Sequence, residues 1–312
     1  MEYLLLAFWL FCIVFGCIGL YVGFTYFDFT KSKTETTESK VVKEKHQGAE
    51  IIGVPGEKAV GIRASSLPFW LYFIAIAAAE LLTVYLQPQA GLICHGIILI
   101  AFLIQSAFVS QPQQRNLILA LSLVPLIRIL SLIMPLAELP QIYWYLIIYT
   151  PLLVAAVVVM RVVGLKSRQV GLISRGLPLQ IGIGIAAGIA IGITEYYILR
   201  PQLLVTEFSL GQIWFPAVVL LITTGFVEEL IFRGVLQRTS EVAMGRLGLV
   251  YISAIFAILH VGHLSALDVI FVFGIALFFA TLVKRTGSLI GVTLSHGIAN
   301  ILLYLIAPFI LG

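Results

Sequence analysis

Long apolar stretches separated by short polar segments run along almost the whole chain. A helix needs about 20 apolar residues to cross the hydrocarbon core of a bilayer, and stretches of about 18 or more are candidates. The pattern predicts about ten spans, at about 3–27, 68–86, 90–109, 115–135, 142–163, 178–199, 214–235, 248–263, 265–283 and 287–308. The predicted fold class is therefore all-α, a polytopic transmembrane helical bundle.

The composition strengthens this interpretation. Hydrophobic residues make up 60% of the chain and charged residues only 11%, and the mean hydropathy is +1.07. A soluble globular domain of this length does not reach such values. The chain is therefore expected to be an integral, multi-pass membrane protein whose main solvent is lipid.

The first apolar stretch is expected to remain in place as an N-terminal transmembrane anchor over residues 1–30. Met1-Glu2-Tyr3 supplies no basic flank of the kind that precedes a signal peptide, and no small-residue cleavage site follows the stretch. Residues 31–66 carry Lys and Glu side chains with almost no apolar pattern. They predict a flexible polar linker on the cytosolic side.

Basic residues indicate the orientation of the chain, because Lys and Arg collect in short cytosolic loops. If the N-terminus lies outside, alternating spans place the basic clusters on the cytosolic side, including Arg233, Arg238 and Arg246, and Lys284 with Arg285. Both termini are then predicted to be external. The net charge of +4 is spread over these loops, which argues against a nucleic-acid partner.

Three ionisable residues within the accessory spans need an explanation, because charges in a bilayer are costly. At a rise of about 1.5 Å per helical residue, Glu80 and Arg128 lie at the same depth in the membrane. We predict that they pair for structural reasons. Glu195 lies near the external end of its span and is expected to extend outward with little functional role. A stripe of small residues in the same span predicts a close helix contact: Gly184, Gly188 and Gly192.

Two adjacent carboxylates, Glu228 and Glu229, lie in the otherwise apolar stretch at about 214–235. Successive helical residues point about 100° apart, so the two side chains cannot both face one reacting atom. Glu229 and Arg233 stand one turn apart on one face. We therefore expect Arg233 to hold Glu229 and to leave Glu228 free.

Two later spans add imidazoles and an amide. His260 ends Phe256-Ala257-Ile258-Leu259-His260, and His296 stands one turn before Asn300. At about 1.5 Å per residue, Glu228, His296 and His260 lie about 9, 13 and 18 Å from the cytosolic boundary. Helix tilt or a break near residue 245 would let these groups converge. His263 is expected to be an interfacial residue.

The motifs EExxxR, FxxxH and HxxxN, which end at Arg233, His260 and Asn300, appear complete, in order and on membrane spans. In these motifs, and in the Arg285-Thr286-Gly287-Ser288-Leu289 stretch, residues 225–305 resemble the CPBP membrane proteases. That family includes the Rce1-type CAAX prenyl endopeptidases and the bacterial Abi proteins. The resemblance implies a catalytic domain over 206–312, with a buried core formed by the last four spans. Residues 67–205 are predicted to be accessory transmembrane helices, and they show no feature of the family.

The resemblance further implies an intramembrane glutamate-type endopeptidase, a hydrolase that works without a covalent intermediate. Glu228 and His260 would act on water as the general base and later return a proton to the leaving amine. His296 and Asn300 would donate hydrogen bonds to the oxyanion of the tetrahedral intermediate.

Supporting roles are implied for three further motif residues. Glu229 and Arg233 would order the helix that presents Glu228, and Glu229 is counted among the catalytic residues. Phe256 would pack behind His260. No cofactor is implied. The expected partners are membrane lipid and a peptide or protein substrate. Prenylated and membrane-embedded substrates are included. The expected location is the plasma membrane of a prokaryote, with the site open to the cytosolic side.

Other interpretations of the same residues stay open. Glu228, His260 and His296 could hold Zn²⁺ with a fourth position for water, although no HExxH spacing is present. The buried acids and imidazoles could instead form a packing network in a non-catalytic membrane scaffold or immunity protein. A proton-coupled transporter is a third class, against which the absence of a clear inverted repeat in the sequence counts.

Overall fold

The computed structural model describes residues 67–133 and 138–312. They belong to one compact unit, Ala64–Gly312. This unit holds both the predicted accessory helices and the predicted catalytic domain, and their division at residue 205 stays a prediction. The predicted anchor over 1–30 and the linker over 31–66 lie outside the described residues.

The described residues fold into helices joined by short connections, and this part of the chain contains no strand. Within residues 67–133 and 138–312, eight helices are long and apolar enough to cross a membrane, counting α3 and α4 as one span, Pro112–Ile133. The predicted polytopic helical bundle is confirmed, whereas the count of about ten spans is not established. The helices are α1 Leu67–Tyr85, α2 Pro88–Phe108, α3 Pro112–Leu121, α4 Leu123–Ile133, α5 Gln141–Val162, α6 Leu177–Leu199, α7 Leu210–Met244, α8 Leu247–Ile258, α9 Ala266–Thr286 and α10 Ile290–Ile310.

Helix α7 is longer than the apolar pattern predicted. It runs for 35 residues and contains two π-helical segments, Leu221–Glu228 and Leu230–Leu236, which adjoin at Glu229. A π-helical turn holds one residue more than an α-helical turn and often occurs at functional sites. The two adjacent carboxylates therefore lie where the helix is locally widened.

Helix α8 is shorter than its predicted span of 248–263. It has 12 residues, or about 18 Å of helix, against the roughly 30 Å of a hydrocarbon core. A 3₁₀ turn, Val261–His263, follows it, and Leu264 adopts a left-handed conformation with φ of 57°. The chain thus turns before α9, and His260 lies at this turn and not within a long helix.

Helix α10 packs closely against both α6 and α7 because glycines line the two contacts. A Cβ atom added at Gly188 would lie 2.8 Å from the carbonyl oxygen of Ser295, and one added at Gly225 would lie 2.9 Å from that of Thr293. Backbone oxygens of α10 are also within 3.0 Å of Cβ positions at Gly184 and Gly192. The predicted small-residue contact is confirmed, and α10 is the partner of α6.

The predicted pair between Glu80 and Arg128 is confirmed. The Nε atom of Arg128 in α4 lies 2.7 Å from Oε1 of Glu80 in α1. His95 of α2, which the sequence analysis did not include, lies 3.2 Å from the same oxygen through Nε2. Glu80 and His95 are fully buried, so three helices meet at one ion pair.

Candidate active site

The residues of the three sequence motifs meet at one cavity, called here the motif cavity. It has a volume of about 180 Å³, which is room for several water molecules. The motif residues that line it are Glu228, Phe256, His260, His296 and Asn300. Helices α7 and α10 and the turn after α8 thus bring an acid, two imidazoles and an amide around one space, as the sequence predicted.

Glu228 is not paired with Arg233, in agreement with the sequence analysis, but it does have a partner. The hydroxyl of Tyr149 in α5 donates a hydrogen bond to Oε1 of Glu228. The other oxygen, Oε2, lies 3.9 Å from Nε2 of His296. One carboxylate oxygen is therefore held in place, while the second faces the motif cavity.

Glu229 and Arg233 form the predicted pair along one face of α7. Nη1 of Arg233 donates to Oε1 of Glu229 at 2.9 Å, and both side chains are almost fully buried. Nδ1 of His296 lies 2.8 Å from the same oxygen. This second contact, which the sequence did not predict, joins Glu229 to the imidazole of α10 as well as to the guanidinium of α7.

Phe256 packs against His260, as predicted, with ring centroids 4.9 Å apart. The same ring lies under the guanidinium of Arg233, 4.4 Å from Cζ to the ring centroid. A cation over an aromatic face is stabilised by the ring quadrupole, and more so when both are shielded from water. Phe256 therefore joins the motif of α8 to that of α7.

The hydrogen bond of His260 fixes which of its nitrogens is free. Nδ1 lies 2.9 Å from the carbonyl oxygen of Phe256, which can only accept, so Nδ1 carries a proton. In the neutral imidazole Nε2 then has no proton and is an acceptor. His260 can therefore take a proton from water through Nε2.

Asn300 lies one helical turn after His296 and also lines the motif cavity. Its side-chain amide has no hydrogen-bond partner among the described residues. The amide is thus available to donate to a group in the cavity.

One expectation about residues near this cavity was wrong. Glu195 does not extend outward but is buried and lines the motif cavity. His263 has a side chain that is 37% exposed, and its interfacial position stays a prediction. It also lines the cavity and pairs with the buried Asp268 at 2.9 Å.

The helix that carries Glu228 continues past the predicted end near residue 235 and ends at Met244. Glu228 therefore lies near the middle of a 35-residue helix. The depth of Glu228 below the cytosolic boundary stays a prediction. The spread of depths estimated for Glu228, His296 and His260 did not prevent their convergence.

Tyr149 was missed because one tyrosine in an apolar span carries no motif. The only signal was its spacing, since Tyr145 and Tyr149 stand one turn apart on α5, with rings stacked at 6.2 Å. Two hydroxyls on one face of a membrane helix indicate a polar contact inside the bundle.

Comparison with known proteins agrees with the sequence motifs. Residues 210–302 match a family model described as type II CAAX prenyl endopeptidase Rce1-like. No curated protein and no solved structure gives a significant match to the chain. The matched segment contains all three motifs and most of the residues around the motif cavity, and it supports the predicted Rce1-like CPBP family. It also indicates a protease, and the helices indicate an integral multi-pass membrane protein.

Proposed function

We propose that this Rce1-like membrane protease hydrolyses a peptide bond inside the bilayer by activating water with Glu228 and His260. The observation that carries the proposal is the convergence of Glu228, His260, His296 and Asn300 on one cavity with room for water. Helices α7 and α10 and the turn after α8 contribute these groups, and α10 is fixed by glycine contacts on two sides.

Water activation follows from the hydrogen bonds of the two bases. Oε1 of Glu228 accepts from Tyr149, which leaves Oε2 for the water. Nε2 of His260 is an acceptor because Nδ1 is bonded to the backbone. The water gives a proton to this pair as its oxygen bonds to the carbonyl carbon. When the C–N bond breaks, the same proton passes to the leaving amine.

Stabilisation of the oxyanion is assigned to α10. The amide of Asn300 can donate directly, and such a donor is strong where water is excluded. His296 donates through Nε2 only as an imidazolium, because Nδ1 already faces Glu229. Glu228 and Glu229 lie on opposite sides of that ring and would stabilise its positive charge.

The zinc-dependent alternative uses Glu228, His260 and His296. Among the described residues, no three His, Cys, Asp or Glu side chains are arranged to hold a metal ion. We propose metal-free hydrolysis, and a chelation experiment tests it.

The substrate is proposed to be a peptide or protein within the membrane. The matched family is described as a type II CAAX prenyl endopeptidase, so a prenylated C-terminal peptide is the first substrate to test. The proposed location is the plasma membrane of a prokaryote, with access from the cytosolic side.

The decisive experiment compares membranes that contain the wild type with membranes that contain Glu228→Gln, by mass spectrometry of protein termini. Glutamine keeps the shape of the side chain and the bond from Tyr149 but cannot act as a base. A new terminus found only with the wild type identifies both the substrate and the cleaved bond.

A matched control is Glu241→Gln on the same helix. Glu241 does not line the motif cavity, and its carboxylate pairs with Lys284 at 3.0 Å. This variant should produce the same new terminus as the wild type. If Glu228→Gln were fully functional in the cell at equal abundance, the scaffold or immunity interpretation would be favoured over the enzyme.

A further inference from the structure

A second cavity, called here the Arg128 cavity, adjoins the candidate active site. Its volume is about 260 Å³. It shares Glu228, Phe256 and His260 with the motif cavity, and its far wall includes Arg128 of α4. A molecule that reaches the proposed bases can therefore extend towards a guanidinium that belongs to a helix outside the family match.

The guanidinium of Arg128 is held at one end and open at the other. Nε is buried and pairs with Glu80, which His95 contacts from α2. The terminal nitrogens have no partner among the described residues and are not buried. The side chain as a whole is 18% exposed, against 2% for Arg233. Arg128 is thus positioned by its buried pair and presents its remaining donors to the cavity.

A purely structural cation would not need this arrangement. Arginine stays charged in proteins, and an open guanidinium inside a membrane is costly unless it contacts water or an anion. Glu228 is the only carboxylate among the described residues that line the Arg128 cavity, and it is bonded to Tyr149. The free donors of Arg128 therefore face a space with no resident anion of their own.

We propose that Arg128 is a binding subsite for a carboxylate of the substrate peptide, in addition to the proposed hydrolytic site on which this inference rests. The planar guanidinium matches a carboxylate in a two-bond geometry, which gives direction as well as attraction. Trp144, Tyr145 and Phe232 supply apolar walls for the neighbouring side chains of the peptide. The carboxylate is either a free C-terminus or an Asp or Glu side chain.

The test measures peptide binding to the full chain in lipid nanodiscs, in a Glu228→Gln background so that no hydrolysis intervenes. The probe is an N-acetylated, S-farnesylated Cys-Val-Ile-Leu peptide, used as the free acid and as the C-terminal amide. A third peptide is an amide that ends in Asp. The free acid should bind about 10- to 100-fold more tightly than the plain amide. Tight binding of the Asp amide would show that a side chain is also accepted.

The variants separate the loss of Arg128 from the loss of folding. Adding Glu80→Gln removes the counter-ion but keeps the guanidinium, so the preference for the acid should persist. Adding Glu80→Gln together with Arg128→Gln removes both charges without leaving one unpaired, and the preference should disappear. Arg128→Lys keeps the charge but not the two-bond geometry and should retain part of the preference.

The outcomes distinguish this proposal from the proposed hydrolysis. An acid preference that depends on Arg128 supports the subsite, even if the wild type cleaves no peptide. Equal binding of acid and amide, binding of neither peptide, or a preference that survives in the double variant would overturn the subsite. Cleavage of both peptides by the wild type at equal rates would then leave the proposed hydrolysis intact.

Discussion

His296 and Glu229 are joined by a contact of 2.8 Å between Nδ1 and Oε1, on a carboxylate oxygen that Arg233 also reaches. Phe256 covers the guanidinium of Arg233 from α8. The three sequence motifs are therefore one connected unit, in which Glu229 is the shared anion. It contacts the imidazole of α10, while Glu228 faces the cavity.

Replacement of Glu229 should destabilise the protein as well as inactivate it. Glu229→Ala leaves the buried Arg233 without its counter-ion, and breaking a buried pair in this way costs about 3–5 kcal/mol. Thermal unfolding of the purified protein in nanodiscs measures the effect. Glu241→Gln is the control on the same helix, because its partner Lys284 is 46% exposed, and such pairs contribute at most about 1 kcal/mol. Equal stability of the two variants would contradict the shared-anion role.

Tyr149→Phe should slow hydrolysis without unfolding the protein. The substitution removes one hydroxyl, and the hydrogen bond that it donates to Glu228 is lost. Hydrogen bonds to charged groups contribute about 1.5–3 kcal/mol, so kcat should fall about 10- to 100-fold with little change in KM. Tyr145→Phe, on the same face of α5, removes a hydroxyl that has no hydrogen-bond partner among the described residues and should have a smaller effect. Similar kinetics for both variants would argue against positioning of Glu228 by Tyr149.

Asn300→Ala should lower kcat by about 10²- to 10³-fold, because loss of one oxyanion donor commonly has that cost. Stability should change little, since the amide has no hydrogen-bond partner in the described part of the chain. The measurement is kcat and KM on the substrate identified by terminus analysis, together with the melting temperature. A variant with wild-type kcat would remove Asn300 from the proposed oxyanion site.

Gly188→Ala should disturb the site from a distance. Its new Cβ would lie 2.8 Å from the backbone oxygen of Ser295, next to His296, so α10 would have to shift. Overpacking of this kind costs about 1–3 kcal/mol. Gly182→Ala is the matched control on α6, because a Cβ there meets nothing within 4 Å. We expect lower stability and activity for the first variant only, and a harmless Gly188→Ala would show that the contact is not rigid.

Removal of zinc should leave the activity intact. The proposed reaction uses protein bases and donors, so incubation with a strong chelator followed by gel filtration should not change kcat. Metal analysis should find far less than one zinc per chain. Stoichiometric zinc whose removal abolishes activity and whose return restores it would support the metalloprotease alternative.

Contacts between residues of one helix could be predicted from the sequence more readily than contacts between residues of different helices. The spacing of Glu229 and Arg233 fixes their common face, and the pair is present. A shared depth was enough to match Glu80 with Arg128. Tyr149 and His95 could not be placed in this way, because a helix that is apolar on all sides gives no signal about which face it turns to its neighbours.

Two other misses have different causes. The polar residues after 235 marked the end of the apolar stretch, but α7 continues to Met244. Hydropathy indicates which residues are suited to lipid, and it does not indicate where a helix ends. Glu195 was assigned to the membrane surface from its position near the end of α6. A position near a helix end does not indicate whether the side chain turns outward or into the bundle, and Glu195 is buried and lines the motif cavity.

The widened turns of α7 make the geometry of the site depend on how many residues the helix contains, and not only on which ones. One residue removed from Leu221–Glu228 would replace a widened turn by one with the α-helical number of residues, and the position of Glu228 relative to α10 would change. Glu228 would then leave the cavity even though every motif letter remained in place. A chain with an intact EExxxR motif but a shortened segment before it would be expected to lose activity.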